Sequence, residues 1–301
     1  MGSQPRFAGI ELGGTKAIAV LAEGDRIVDR TVIATTRPHE TLSALRAKLD
    51  EWMRDAPFVS VGIASFGPIQ LDPKRSGHGH ILATPKPGWM GAAVAPMLTD
   101  GLGCPWRIDT DVNGAALAEY RWGAGAQCDS LCYITMGTGL GGGLLVEGRP
   151  VHGAMHPELG HLRLRRMAGD TFAGICPFHR DCIEGLIAGP ALAARFGRDV
   201  RDVPDNHPLW RHVAEDLAEL CGTILLTTSA QRILFGGSVA LSRAFLLPWA
   251  AALVVERLGS YLPFLGDDGA DEIIGPAALG IEAGPLGAIA LAQTALHQTE
   301  A

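Results

Sequence analysis

Residues 7–22, "FAGIELGGTKAIAVLA", place an apolar run, a two-glycine break and a second apolar run in close succession. Runs of this length, interrupted where the backbone must reverse, read as strand, tight turn, strand. Glycine at such a turn also lets the main chain approach a ligand closely. "GDRIVDRTVI" (24–33) continues the meander, and "TLSALRAKLDEWMRDA" (41–56) follows with apolar residues at Leu42, Leu45, Leu49 and Met53, which is helical spacing. The strand "VSVGIAS" (59–65) comes next. Strands, then a helix, then a strand make an α/β opening.

The same unit recurs about 120 residues later: "SLCYITM" (130–136), a turn at "GTGLGGG" (137–143), and a return through "LLVEG" and "RPVHG" (144–153). Two copies predict duplicated half-domains facing each other, with the site in a cleft between them. Downstream, a helix is expected from Pro208 to Ala230, with Leu209, Val213, Leu217, Leu220, Ile224 and Leu225 on one side and Asn206 as its cap. It feeds "RILFGG" (232–237), a third glycine turn. "GPLGAIALAQTAL" (284–296) reads as a packed terminal helix whose partner the sequence does not name. No low-complexity linker separates the halves, so any hinge is short.

A chain of 301 residues with 47% apolar content can build substantial cores, and its net charge of −7, with no basic run longer than "RLRR" (163–166), argues against nucleic-acid or anionic-membrane partners. The start, "MGSQPRF", lacks an apolar signal core and has Arg6 where an N-acylation motif requires Ser or Thr. The longest apolar run, "AFLLPWAAALVV" (244–255), is too short to span a bilayer. Six cysteines without regular spacing are read as reduced thiols, which points to the cytoplasm.

"GTGLGG" (137–142) matches the dinucleotide pattern G-x-G-x-x-G, but that fold needs a helix straight after the turn, whereas "GLLVEGRPVHG" is β-like. The alternatives are plain hairpin turns or a cradle in which backbone N–H groups of both turns hold a nucleoside triphosphate, with Thr15, Thr138 and Lys16 assisting. "GGTK", "GTGLGGG" and "FGGSV" each follow an apolar strand, which favours the cradle.

"RIDTDVNGAALAEY" (107–120) ends a strand with Asp109, Thr110 and Asp111 and starts a helix. Asp111 is either a helix cap or the acceptor of a hydroxyl proton in phosphoryl transfer. "HPELGH" brings Glu158 and His161 within reach of one ligand, and "CPFHRDCIEG" (176–185) supplies Cys176, His179 and Cys182. His161, with His156 and His152 as alternatives, completes an H-x14-C-x2-H-x2-C set. Four protein ligands make a closed, structural zinc site. Closing that loop would gather Glu158, His161 and Glu184 for a polyol.

Over nearly its whole length the chain resembles the ROK family of sugar kinases and repressors, within the actin-like, hexokinase-like ATPase fold. The likeness lies in "IELGGTK", "ASFGPI", "TPKPGW", "DTDVNGAALAE", "MGTGLGGGLLVEG", "HPELGH", "CPFHRDCIEG" and "LFGGSV". The fructokinase branch, with its "TPKPGW" and C-P-x-H-x-x-C loop, is the most similar. The resemblance implies an N-terminal lobe of residues 1–115, joined by the terminal helix at about 285–301, and a C-terminal lobe of 116–284 carrying a zinc loop at about 156–185. It implies Asp111 as catalytic base, and Gly67, Thr110, Asp111, Glu158, His161 and Glu184 at the sugar. Gly13, Gly14, Thr15 and Lys16, with Gly137, Thr138 and Gly139, match the phosphate turns, and Gly236 and Gly237 the adenosine turn. His161, Cys176, His179 and Cys182 match the zinc ligands.

Three positions depart from the pattern: Thr110 where Asn is common beside the base, Glu11 where Asp is common before the first turn and would face magnesium, and Ser238 where a third glycine is frequent. The expected activity is ATP- and Mg2+-dependent phosphorylation of D-fructose to D-fructose 6-phosphate, with mannose or glucose as alternative sugars. A homodimer is expected. A sugar-sensing regulator would need a DNA-binding module and the opposite charge, and an inactive zinc-stabilised binder would have no use for Asp111.

Overall fold

The structure, a computed structural model, describes residues 4–267 and 269–299. Part of the "MGSQPRF" start and the last two residues of the expected terminal helix lie outside them. The chain divides into two compact units, residues 1–121, 150–156 and 281–301 in one, and 122–149 and 157–280 in the other.

The first unit holds β1 (Arg6–Leu12), β2 (Lys16–Glu23), β3 (Arg26–Ala34), β4 (Ser60–Ser65) and β5 (Trp106–Thr110) in the order β3-β2-β1-β4-β5. β1, β2 and β3 form the antiparallel meander expected from the sequence, and β4 and β5 add in parallel. β4 is buried along its whole length, as a strand covered on both faces should be, while the edge strand β3 leaves Val28 and Val32 exposed.

Helix α1 (Pro38–Asp55) begins with proline in its first turn and carries Glu40 there and Arg54 in its last turn, matching the helix dipole. It buries Leu42, Leu45, Leu49 and Trp52, whereas Met53, expected from the periodicity, is only half-buried. Trp52 takes the inward place because its indole N–H reaches Asp29 Oδ2 at 2.8 Å. Helices α2 (Val94–Thr99) and α3 (Asp111–Trp122) complete the run before the chain leaves this unit.

The terminal helix, Ala283–Thr299, finds its partner in this first sheet, lying on β1, β4 and β5. Its small residues permit a close approach: a Cβ on Gly62 of β4 would lie 1.9 Å from the Ala288 carbonyl oxygen. Ser60 Oγ donates to the Ala292 carbonyl at 2.7 Å, which fixes the helix in register on the strand.

The second unit has β6 (Ser130–Met136), β7 (Leu140–Val146), β8 (Arg149–Pro150), β9 (Arg232–Gly236) and β10 (Ile274–Pro276) in the order β10-β9-β6-β7-β8. β6 and β7 are antiparallel, so the G-x-G-x-x-G stretch is a hairpin whose last two glycines, Gly141 and Gly142, lie inside β7. Helices α4 (Ile183–Ile187), α5 (Gly189–Phe196), α6 (Trp210–Thr228), α7 (Ser238–Ser242), α8 (Leu246–Leu258), α9 (Phe264–Asp267) and α10 (Ala270–Ile273) follow in this unit. Asn206 does not cap α6. The chain enters that helix through consecutive turns, His207 N to Pro204 O and Trp210 N to His207 O, and the His207 ring accepts the Leu209 amide. Among the described residues no helix is long and apolar enough to cross a membrane.

Candidate active site

In the first unit the turn between β1 and β2 has every carbonyl engaged from within. Gly13 N–H donates to Lys16 O, Thr35 Oγ1 to Gly13 O at 2.8 Å, Lys86 Nζ to Gly14 O, and Thr35 N–H to Thr15 O at 2.9 Å. Among the described residues the Gly14 and Thr15 amides donate to no backbone carbonyl, and Gly14, Thr15 and Lys16 are exposed. A turn whose carbonyls are held inward and whose amides are left available has the polarity of an anion cradle.

At the end of β5, Asp109 and Asp111 divide two roles that the sequence left undivided. Asp109 is fully buried, and its Oδ1 accepts from Thr110 N (2.8 Å), Asn113 Nδ2 (2.7 Å) and His152 Nε2 (3.2 Å). His152 Nε2 is also 3.1 Å from Oδ2, without hydrogen-bond geometry. Asp109 is therefore a clamp on its own surroundings. Thr110, expected beside the sugar, is buried, and its hydroxyl caps α3 by accepting the Asn113 amide at 3.1 Å. With Thr110 as the cap, Asp111 is the first helical residue, half-buried, and one of its oxygens accepts the Val112 amide at 2.9 Å.

Glu11, at the end of β1, has its carboxyl pushed up to about 7, first by burial and next by Asp111, against the opposing pull of Lys16 and Arg30. Its Oε2 is buried and accepts no hydrogen bond among the described residues. Gly284 makes room for it, since a Cβ there would lie 2.2 Å from the carboxyl group. Gly67 sits in a loop held by His156, whose Nε2 accepts the Ile69 amide at 3.2 Å.

In the second unit the glycine turn closes through Gly137 N–H to Gly139 O at 2.9 Å, and Gly189 N–H donates to Gly137 O at 2.7 Å. Glu184 Oε2 accepts the Leu140 amide at 3.1 Å, which sets this carboxylate directly beneath Gly139. Glu158 is pushed up to about 7 by burial and then by Glu184, so the structure brings these two expected sugar contacts together. "HPELGH" is docked on β7 at Gly160, where a Cβ would strike the Leu140 carbonyl at 1.8 Å. The Gly236–Gly237 turn lies beside the first: Gly237 has φ +87°, and Ser238 Oγ would be 3.6 Å from a Cβ on Gly137. Ser238 is accommodated as the first residue of α7.

The four expected zinc ligands converge. Their donor atoms all lie within 4.8 Å of one another. His161 Nδ1 is 3.5 Å from Cys182 Sγ and 3.9 Å from Cys176 Sγ, and His179 Nδ1 is 3.9 Å from Cys176 Sγ. Zinc bonds of about 2.3 Å to sulfur and about 2.1 Å to nitrogen at tetrahedral angles require donor separations of about 3.6 Å, so the set fits that ion. His152 and His156, the alternative ligands, are engaged with Asp109 and Ile69 instead.

Sequence reading missed a second anchor of the loop that carries these four donors. Asp170, between His161 and Cys176, is gripped by Arg166 and Arg195, and Arg195 also binds Asp216 of α6 at 2.8 Å. It missed Lys86 and the Asp109–His152 pair as well. "TPKPGW" was a signal for the first, but nothing in local spacing joins 109 to 152.

Residues 7–295 match the ROK family. The chain belongs to the ROK family. It is 41% identical to the fructokinase of Zymomonas mobilis, covering 95% of this chain and 96% of that one. It is 37% identical to the fructokinase of Pediococcus pentosaceus, over 95% and 97% respectively. Among solved structures, the ROK hexokinase of Thermus thermophilus matches with a TM-score of 0.78 at 26% identity, over 98% of this chain and 100% of that one. The hexokinase-like fold expected from the motifs is therefore the observed one.

Proposed function

We propose that this ROK protein is an ATP-dependent fructokinase that converts D-fructose to D-fructose 6-phosphate, with Asp111 as general base. The carrying observation is that Asp111 is released from capping by Thr110 and stands at the head of α3, in a chain similar to fructokinases over nearly its full length. In the reaction the sugar O6–H proton passes to the Asp111 carboxylate as the O6–Pγ bond forms. The Pγ–O bond to the β-phosphate breaks, and its electron pair leaves on ADP.

Gly13, Gly14, Thr15 and Lys16, and separately Gly137, Thr138 and Gly139, would hold phosphates through their amides, with Gly236 and Gly237 at the adenosine. Gly67, Glu158, His161 and Glu184 would orient the sugar. Thr110 contributes through the cap that positions Asp111. Zinc, held by His161, Cys176, His179 and Cys182, would supply geometry only, because four protein donors leave no position for a reacting water. Magnesium would accompany ATP near Glu11 and Asp111, whose mutual repulsion marks a place suited to a divalent cation, and would supply charge neutralisation of the phosphates. A homodimer in the cytoplasm completes the reading.

A coupled ADP-release assay over a hexose panel tests it, with turnover expected on fructose above mannose and glucose. Asp111→Asn is expected to lower kcat by about 10²-fold or more with zinc content unchanged. Full activity in that variant would remove Asp111 from the role.

A further inference from the structure

"TPKPGW" is a signature of the chain to which the reading above gives no task. The structure places its lysine with care. Lys86 Nζ donates to the carbonyl of Gly14, in the middle of the first glycine turn. The ammonium also stands 6.0 Å from the ring centres of both Phe66 and Trp89. Those rings meet edge to face with centroids 5.0 Å apart, and the fully buried Trp89 is locked by its indole N–H on Thr36 O at 2.9 Å. The short turn that presents Lys86 is pinned as well, with Thr84 Oγ1 accepting the Lys86 amide and Lys86 O accepting the Trp89 amide.

Among the described residues Lys86 pairs with no carboxylate. Lys48, by contrast, is shared between Asp29 and Glu51. A half-buried ammonium held against aromatic faces and one carbonyl has two N–H groups left to donate. Its position relates two features of the proposed site. Gly14 belongs to the turn whose unused amides form the anion cradle, and Phe66 immediately precedes Gly67 in the loop assigned to the sugar. A cation tied to both lies where a phosphoryl group bound at the turn would be passed to a hydroxyl at the loop.

We propose that Lys86 binds the phosphoryl group in transfer: the γ-phosphate of the nucleotide before reaction and the 6-phosphate of the sugar after it. This rests on the kinase reading, and the bond changes are those given for it. Lys86 neither gains nor loses a proton. Its ammonium donates to the equatorial phosphoryl oxygens throughout, as a fixed charge where negative charge is concentrated.

Titration calorimetry with AMP-PNP, ADP, fructose 6-phosphate and fructose on the full chain tests this, alongside steady-state kinetics. Lys86→Met is expected to weaken AMP-PNP and fructose 6-phosphate by about 10-fold or more, to leave ADP and fructose within about 2-fold, and to lower kcat by about 10²-fold. Lys86→Gln keeps a donor for the Gly14 carbonyl but has no charge, so it is expected to behave like Lys86→Met. If Lys86 only braces the turn, ADP and AMP-PNP weaken by the same factor in Lys86→Met and both recover in Lys86→Gln; either result overturns the proposal. Should Lys86→Met fail to fold, as read by its thermal melt, the Lys86→Gln comparison decides alone. A wild-type protein that phosphorylates no sugar refutes the kinase reading instead, while the AMP-PNP and ADP titrations still report on Lys86.

Discussion

The charge of Asp111 acts on the buried Glu11, and the consequence is readable in stability. Burial and the neighbouring carboxylate hold Glu11 at about 7 in the folded chain, against 4.5 for the ordinary side chain. Below about pH 4.5 both folded and unfolded chains carry the proton, and nothing is lost. Between about 4.5 and 7 the unfolded chain ionises while the folded one does not, so stability falls as pH rises through that window and then levels off. The loss is on the order of 3 kcal/mol, the free-energy equivalent of the displacement from 4.5 to about 7. Glu11→Gln removes the ionisation and is expected to melt higher than the parent at pH 8, with the difference vanishing at pH 4. Melts at the two pH values check it, and an equal difference at both would show that the amide acts through packing rather than charge. Asp109, two residues from Asp111, shows what local sequence withholds. Both are acidic residues at a strand end, and the contact that sets Asp109 apart as a buried clamp, His152, is brought back from 43 positions away.

Elements were legible where a local rule had no competitor. The three strand–glycine turns were readable because apolar runs broken by glycine have few other solutions, and the convergence of His161, Cys176, His179 and Cys182 because ligand-type residues at such spacing have one economical arrangement. The rule failed where two local choices were nearly equal. Helical spacing admits either Trp52 or Met53 inward, and the indole's bond to Asp29 decides; Asn206 is a good cap by type, but the turns at Pro204 and His207 deliver the chain to α6 without it. The loop is held at two places: one is the spacing motif, and the other is Asp170, which the neighbouring Arg166 shares with Arg195 of α5 and so ties to Asp216 of α6. Chelation of the proposed zinc should therefore loosen only part of the loop. Arg180, exposed between Cys176 and Cys182, is expected to become a tryptic cleavage site, while Arg166, bound to Asp170 and to the Phe172 carbonyl, resists. Mass analysis of the first cut reads the order. Simultaneous cleavage at both would mean that the ion network depends on the metal.

Across the whole molecule the chain passes from one unit to the other and back twice, so neither unit is one continuous stretch of sequence. The first depends on its last segment. β1, β4 and β5 are covered by the terminal helix, and Gly62, Gly114 and Gly287 have no side chains because the backbones meet there. Without that helix the face of β4 that carries Ser60, Gly62 and Ala64 would be open to water, and the Ser60 hydroxyl would lose the Ala292 carbonyl. Nothing comparable is removed from the second unit, whose β6 and β9 are packed by helices drawn from residues 183–273. A chain ending at residue 280 is therefore expected to lose hydrogen-exchange protection in β1, β4 and β5 while β6 and β9 keep theirs, and to retain the zinc proposed at His161, Cys176, His179 and Cys182. Protection lost uniformly over both sheets would show instead that the two units fold only as one.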